Sequence, residues 1–380
     1  MPAPPALPLV AHVVYRFDTG GLENGVVNLI NRMSAFRHAV IAVTEVAPAF
    51  AARVTRPDTA FVELHKPPGH GWRVYRPFVQ AVRRLRPAIV HTRNLAALEM
   101  QLPAWACGVR GRVHGEHGRD VEDLDGTSRR HQWMRRVFRP FVGHQVALSA
   151  DLADYLRRRV GVPAGRLTQI INGVDTQRFA PAAGRTPIAG SPFDDPSLWL
   201  VGTVGRMQTV KAQPLLARAF VRMLDRAPML RDRARLVMVG EGPLREECER
   251  VLRDAGLDGH AWFAGVRGDV ADVMRGLNCF ALPSLAEGIS NTILEAMACG
   301  LPVVATGVGG NAELVADGET GAIVPAGDVD ALAAALLGVA TDPARAASAG
   351  ARGRQRVEAM FSLDAMVAAY EQVYRRVLAS

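Results

Sequence analysis

The sequence predicts an α/β protein made of two doubly wound domains. Three observations predict it. The chain has 380 residues, 49% of them hydrophobic, which is long for one ordinary core and ample for two. Short apolar runs bounded by turn residues alternate with helical patterns along the whole length, the order that builds parallel sheets. Several of these runs end in glycine-rich loops that lead into a helix, the place where open α/β sheets bind ligands.

Taken in order, the amino terminus MPAPPALPLVAHVVYRF carries four prolines in its first eight residues. It lacks a charged leader and a long apolar stretch, so residues 9–15 are expected as the first strand and not as a signal peptide. Asp18-Thr19-Gly20-Gly21-Leu22-Glu23 follows, then helical spacing over 26–33. Strand, double-glycine turn and helix start form a candidate phosphate cradle. Further strands are expected at 39–44, 60–64 and 88–91, the last after a helix over about 73–85. The run from Arg112 through His114-Gly115-Glu116-His117-Gly118 to Asp120 reads as a strand ending in polar residues at a carboxyl edge. His117 is the candidate site residue there, with His114 in reserve. Residues 128–141 are dense in arginine: Arg129, Arg130, Arg135, Arg136 and Arg139, interleaved with Trp133, Met134, Val137 and Phe138. On a helix they make a basic amphipathic face, suited to solvent or to a membrane surface. A strand at 144–148 and a helix over 150–159 capped by Ser149 come next. Residues 181–196, rich in Pro, Gly and Ala without periodicity, read as a linker.

In the second half, residues 198–204 read as a strand that ends at Gly205-Arg206, with Lys211 soon after. Strands are expected at 234–239 and at 260–265, the latter leading into Val266. The apolar run 279–283 is a further buried strand. Its loop leads to Ser290 and Asn291, good N-cap residues for a helix over 292–299, which Gly300 and Pro302 stop. A strand at 302–306 and the turn Val308-Gly309-Gly310 follow. Glu287 lies in the loop and Glu295 inside the helix. The free N–H groups at the helix start suit an anion. Carboxylates beside them suit hydroxyl groups. Phosphate and polyol together describe a nucleotide sugar. Helices are expected at 329–339 and 357–378.

Charge is uneven. Residues 1–190 hold 26 Arg and Lys against 14 Asp and Glu, a net +12, while the rest of the chain is net −4. Lys66 and Lys211 are the only lysines, which makes Lys211 conspicuous. The four cysteines form no C-x-x-C pair, so neither a zinc site nor a disulfide framework is expected, and the thiols fit a reducing compartment. No run approaches the ~18 apolar residues of a membrane-spanning helix.

Glu287-Gly288, followed by Glu295-Ala296-Met297-Ala298-Cys299-Gly300-Leu301-Pro302-Val303-Val304-Ala305-Thr306, resembles the E-x7-E signature of family 4 retaining glycosyltransferases of the two-Rossmann (GT-B) type. The match runs on through Gly309-Gly310, Glu313-Leu314-Val315 and residues 318–321. Ile289 stands where an aromatic is usual, and Ala212 where a glycine commonly follows the lysine. Asn172-Gly173-Val174-Asp175 resembles the segment where the family's first domain ends. The run HGEHGRD resembles a bacterial subgroup associated with exosortase and exopolysaccharide systems.

The resemblance implies two Rossmann-like domains facing a central cleft: residues 1–185 on the acceptor side, with a helix at about 362–380 crossing back, and residues 186–361 for the nucleotide sugar. It implies catalytic roles for His117, Glu287, Arg206 and Lys211. Arg206 and Lys211, beside Gly205, would hold the leaving diphosphate, whose extra charge fixed cations stabilise. Glu295 would hold the ribose hydroxyls. Glu287 and the amides of Gly288, Ile289 and Ser290 would hold the donor sugar. Gly20 and Gly21 would lie near it, Val266 near the base, and His117 beside the sugar. No metal and no cofactor are expected. The expected partners are a nucleotide-sugar donor, a glycan or polyprenyl-linked acceptor and an anionic membrane surface, with no nucleic acid. The expected setting is the cytoplasm, at the inner face of the membrane, in exopolysaccharide or cell-surface glycan synthesis. A nucleotide-sugar 2-epimerase of the same fold and a non-catalytic nucleotide-sugar binder are the alternatives.

Overall fold

The computed structural model describes residues 7–118, 123 and 126–379. It divides the chain into two units, Met1–Asn172 with Leu363–Ser380, and Gly173–Ser362. Arg119 and Asp120 of the HGEHGRD run lie outside the described residues.

The first unit holds a parallel sheet of β1 (Leu9–Val14), β2 (Arg37–Ala42), β3 (Ala60–Glu63), β4 (Ile89–Arg93), β5 (Gly111–Glu116), β6 (His144–Ala147) and β7 (Leu167–Gln169), in the order β3-β2-β1-β4-β5-β6-β7. β1, β4 and β6 are buried along their whole length, as strands covered on both faces must be. Helix Tyr75–Leu85 covers one face through Phe78 and Val82. The C-terminal helix Leu363–Ala379 covers the other, packing Met366, Tyr370, Tyr374 and Val377 against Val10, Ile89, Val113 and Val146. The expected single helix over 357–378 is broken. Pro343–Met360 belongs to the second unit, and Phe361 and Ser362 interrupt the helical path before Leu363.

The second unit holds β8 (Trp199–Val204), β9 (Ala234–Val239), β10 (Ala261–Gly265), β11 (Cys279–Leu282), β12 (Val303–Thr306) and β13 (Gly321–Val324), all parallel, in the order β10-β9-β8-β11-β12-β13. Helix Gln213–Arg226 buries Leu216, Phe220, Met223 and Leu224 against this sheet. The unit begins at Gly173, earlier than the boundary expected at 185. Arg354 explains this: its guanidinium donates to the carbonyls of Thr176, Phe179 and Ala298 and ties the 173–179 segment to the second unit. Residues 181–196 are no free linker either, since Ile188 and Phe193 are buried.

In both sheets the chain reverses its direction of winding beside the first strand, between β1 and β4 and between β8 and β11. Loops at the carboxyl ends of these strands diverge and leave a crevice in each unit.

Candidate active site

In the second unit the loops after β8 and β11 are bonded to each other. The Leu285 N–H donates to the Val210 carbonyl at 2.8 Å. Lys211 Nζ reaches Glu287 Oε1 at 2.6 Å, and Ser284 Oγ donates to the same oxygen at 2.6 Å. Ser284 is itself fixed, because Thr306 Oγ1 of β12 donates to its carbonyl at 2.6 Å. Glu287 is largely buried, while Lys211 keeps 23% of its side chain exposed. Arg206 is exposed, and its carbonyl accepts from Gln213 Nε2 at 3.0 Å. Gly205 takes the left-handed φ of +155° at the end of β8. Two of the chain's cations therefore meet the crevice at the switch point, one free and one held by a carboxylate.

Backbone shape here is set by close approaches. Gly309 has φ +53°, and a Cβ on it would lie 1.9 Å from the Glu287 carbonyl, so only glycine lets this turn close on the loop. Ala212, after the lysine, takes φ 49° and ψ 39°, a conformation that suits the glycine common at this place in the family.

Helix Asn291–Ala298 starts at the end of the β11 loop. Ser290 caps it by accepting the Ile293 N–H at 3.4 Å. The Ile289 side chain is buried, so it faces the unit's interior and offers a ligand only its backbone. The Gly288 carbonyl accepts from the Gly310 N–H at 2.8 Å. Glu295 lies one helical turn in. Burial pushes its carboxyl up to about 7, opposed by the nearby Arg178 guanidinium. A carboxylate so starved of water is poised to accept hydroxyl donors. Val266 is 81% exposed beyond β10.

In the first unit, helix Gly21–Arg32 begins after β1 with Gly20 as its N-cap. The space beside Gly20 is taken by Glu23, whose Oε2 would lie 2.2 Å from a Cβ at that position. The helix start is thus covered by a carboxylate, and a phosphate there would have to displace it.

The two histidines of β5 and its loop part company. His114 is 1% exposed and both its nitrogens are engaged: Thr92 Oγ1 at 2.9 Å and Glu116 Oε1 at 3.2 Å. Glu116 is ionised and can only accept, so His114 Nε2–H donates to it, while Gln101 Nε2 donates to Thr92 Oγ1. His114 is part of the frame. His117 lies just past the strand, its backbone N–H held by Asn94 Oδ1 at 2.8 Å. Both its ring nitrogens are buried without a partner. Burial and then Arg93 hold the imidazole down to about 3, so it is neutral.

The basic face expected at 128–141 needs correction. Helix Arg129–Phe138 forms, but Arg135 is 5% exposed and turns inward to a bidentate pair with Glu116, at 2.7 and 3.1 Å. Arg136 and Arg139 donate to the carbonyls of Arg159 and Gly161. Of the five, Arg129 and Arg130 remain exposed with no hydrogen bond or ion pair among the described residues, beside the exposed Trp133 and Val137. Buried arginine was illegible because its spacing equals that of its exposed neighbours.

No cluster of three or more metal-ligating side chains occurs among the described residues. Of two Asp-x-Asp spacings, Asp328 caps a helix through the Ala331 N–H and Asp330 pairs with Arg222 and Arg226. In the other, Asp123 accepts the Ser128 N–H, and Asp125 lies outside the described residues.

Residues 19–178 match the profile of Glycosyltransferase Family 4, and residues 199–342 match that of Glycosyl transferases group 1. The lipopolysaccharide core biosynthesis mannosyltransferase LpsB of Rhizobium meliloti is 34% identical over 260 residues, 66% of this chain and 71% of that protein. The chain belongs to glycosyltransferase family 4. A D-inositol 3-phosphate glycosyltransferase of Kribbella flavida is 40% identical over 187 residues, 46% of this chain, and the match spans only 43% of that relative's length. Among solved structures, Anabaena Alr3699/HepE in complex with UDP superposes with a TM-score of 0.81 at 19% identity, covering 97% of this chain and 99% of that one. At that identity the likeness establishes the GT-B fold and no more.

Proposed function

We propose that this family 4 glycosyltransferase moves a sugar from a nucleotide-sugar donor to a hydroxyl of a glycan or polyprenyl-linked acceptor, with retention at the anomeric carbon and without a metal. The observation that carries the reading is the Lys211–Glu287 pair at 2.6 Å, tied into the switch-point crevice of the second unit beside the exposed Arg206. Arg206 and Lys211 neutralise the diphosphate as its bond to the sugar breaks. Glu287, once Lys211 turns to phosphate, is free to accept sugar hydroxyls. Glu295 accepts the ribose hydroxyls, and the backbone at Gly205, Val266, Gly288, Ile289 and Ser290 completes the donor site. His117 contributes a neutral hydrogen-bonding group to the sugar, with Gly20 and Gly21 nearby. The bond from the anomeric carbon to the diphosphate oxygen breaks, the acceptor oxygen bonds to that carbon, and the acceptor's proton leaves on the diphosphate.

The names of two relatives support a hydroxyl-rich acceptor. One is named for D-inositol 3-phosphate and another for the lipopolysaccharide core. A role in exopolysaccharide or cell-surface glycan synthesis, at the inner face of the cytoplasmic membrane, fits that chemistry. The test is turnover over a panel of nucleotide sugars with polyprenyl-linked acceptors, in EDTA. Transfer should persist in EDTA and fall at least tenfold in Lys211→Ala and Arg206→Ala, with smaller losses in donor affinity. Turnover abolished by EDTA and restored by magnesium or manganese contradicts the metal-free reading.

A further inference from the structure

We infer that the first unit carries a ligand site that the proposed reaction does not use: a small basic cavity at the amino edge of its sheet, walled by Arg139, Arg166 and Gln145, which binds a phosphate group.

The cavity lies where β6 begins at His144 and β7 at Leu167, under the turn at Gly161. All strands of a parallel sheet start at one edge. His117 and the Gly20-Gly21 turn follow the carboxyl ends of β5 and β1, so they belong to the opposite edge. The volume is about 220 Å³. Pockets for drug-sized ligands run to roughly 300–1,000 Å³, so this ligand is small.

The walls select its charge. None of the lining residues is acidic. Arg166 is exposed, and its side chain has no hydrogen bond or ion pair among the described residues. An exposed arginine is ordinary by itself, but the residue beneath it is not. Gln145 is 4% exposed, and its Oε1 is enclosed without a partner. Its amide nitrogen also lacks a partner among the described residues, and it is the end of the amide left open on the cavity side. Buried polar side chains are nearly always bonded, so an unbonded amide in a cavity wall calls for a ligand. Arg139 is held in place for it. Its Nη1 donates to the carbonyls of Val160 at 3.2 Å and Gly161 at 2.6 Å, which leaves Nε and Nη2 to a ligand. Gly161 has φ +79°, and a Cβ there would lie 2.7 Å from Nη1 and displace the guanidinium. His144 Nε2 is bonded to Thr168 Oγ1 at 2.9 Å. Burial and then Arg376 lower its imidazole from the ordinary value, so it is neutral and gives the arginines no counter-charge. Two guanidinium forks and an amide N–H, all donors, match the several oxygens of a phosphate. A soluble phosphomonoester and the headgroup of an anionic lipid both carry that group.

The test is calorimetry of glycerol 3-phosphate on the full-length protein. One molecule should bind, at least tenfold more tightly than glycerol or glycerate. Affinity should fall at least tenfold in Arg166→Gln, a change at an exposed position that leaves the fold intact, and in Gln145→Leu. It should stay within twofold in Lys211→Ala, which removes a cation of the proposed diphosphate site. No binding at millimolar concentration, glycerate bound as tightly, affinity kept in Arg166→Gln, or affinity lost in Lys211→Ala each overturns the inference. Co-sedimentation with phosphatidylglycerol vesicles then separates the two sources. Gln145→Leu alters no charge, so a several-fold drop in vesicle binding supports the lipid headgroup, and unchanged vesicle binding supports the soluble phosphomonoester. Neither measurement uses transfer activity, so both are independent of the proposed reaction.

Discussion

Glu295 shows how much one residue's surroundings decide. Its carboxyl, pushed up to about 7 by burial, is about half protonated near neutral pH when no ligand is bound. The ionised form is the better acceptor for ribose hydroxyls, so nucleoside diphosphate affinity should rise between pH 6 and 8. In Glu295→Gln that rise should flatten and affinity should drop by about 1.5–3 kcal/mol, roughly ten- to hundredfold. Calorimetry across that range checks both. The sign for stability is opposite: a raised carboxyl binds more protons folded than unfolded, so the free protein loses this contribution as pH climbs from the ordinary 4.5 towards 7. Ala212 is a second local case. An L-residue held left-handed costs ~1–2 kcal/mol, part of which glycine returns through its freer unfolded chain. Ala212→Gly should raise unfolding stability by about 0.5–1 kcal/mol in denaturant titration, and destabilisation would mean the methyl group contributes packing that outweighs the strain.

At the scale of elements, β5 and helix Arg129–Phe138 are joined by the buried Glu116–Arg135 pair. Glu116 is held down to about 2 by Arg135 and by the His114 hydrogen bond, against the opposing effect of burial. A lowered carboxyl stabilises the fold above its unfolded value and loses that contribution as pH falls towards 2. Arg135→Gln leaves Glu116 buried without its cation and should cost about 3–5 kcal/mol, measured by denaturant unfolding at pH 7. The same variant at pH 3 should differ less from the wild type. The buried strands β1, β4, β8 and β11 were legible because each carries a short apolar run between turn or helix signals. β7 and β13 were not, being edge strands of three and four residues, too short to show a period. The loops carrying Arg206, Lys211 and Glu287 were legible because strand ends and glycines mark a crevice. Their contact across 76 residues was not, since local pattern holds no pairing information. The row from His38, bonded to His12 at 3.0 Å, to His91, whose ring lies 6.2 Å from that of His12, was equally hidden: one histidine on each of three strands shows no spacing at all.

For the whole molecule, the charge asymmetry of +12 in residues 1–190 survives the loss of Arg135 to the interior. No described helix is long and apolar enough to cross a membrane. Arg129 and Arg130 lie beside Trp133, which is 64% exposed, and Val137. As part of the proposed function, this face would dock on anionic lipid, each cation contributing about 1 kcal/mol within a Debye length of ~8 Å. Co-sedimentation with phosphatidylglycerol vesicles should fall steeply with salt and drop several-fold in Arg129→Gln/Arg130→Gln and in Trp133→Ala. Equal binding to neutral vesicles would remove the electrostatic part.

The proposed reaction is sugar transfer with retention from a donor held by Arg206, Lys211, Glu287 and Glu295. Proton NMR of the product's anomeric signal tests it most directly, using whichever nucleotide sugar the panel shows to be consumed. The account predicts a new glycosidic linkage with the donor's own anomeric configuration, formed by the wild type and lost in Lys211→Ala. An inverted linkage, or a sugar changed at C2 with no linkage formed, would contradict it.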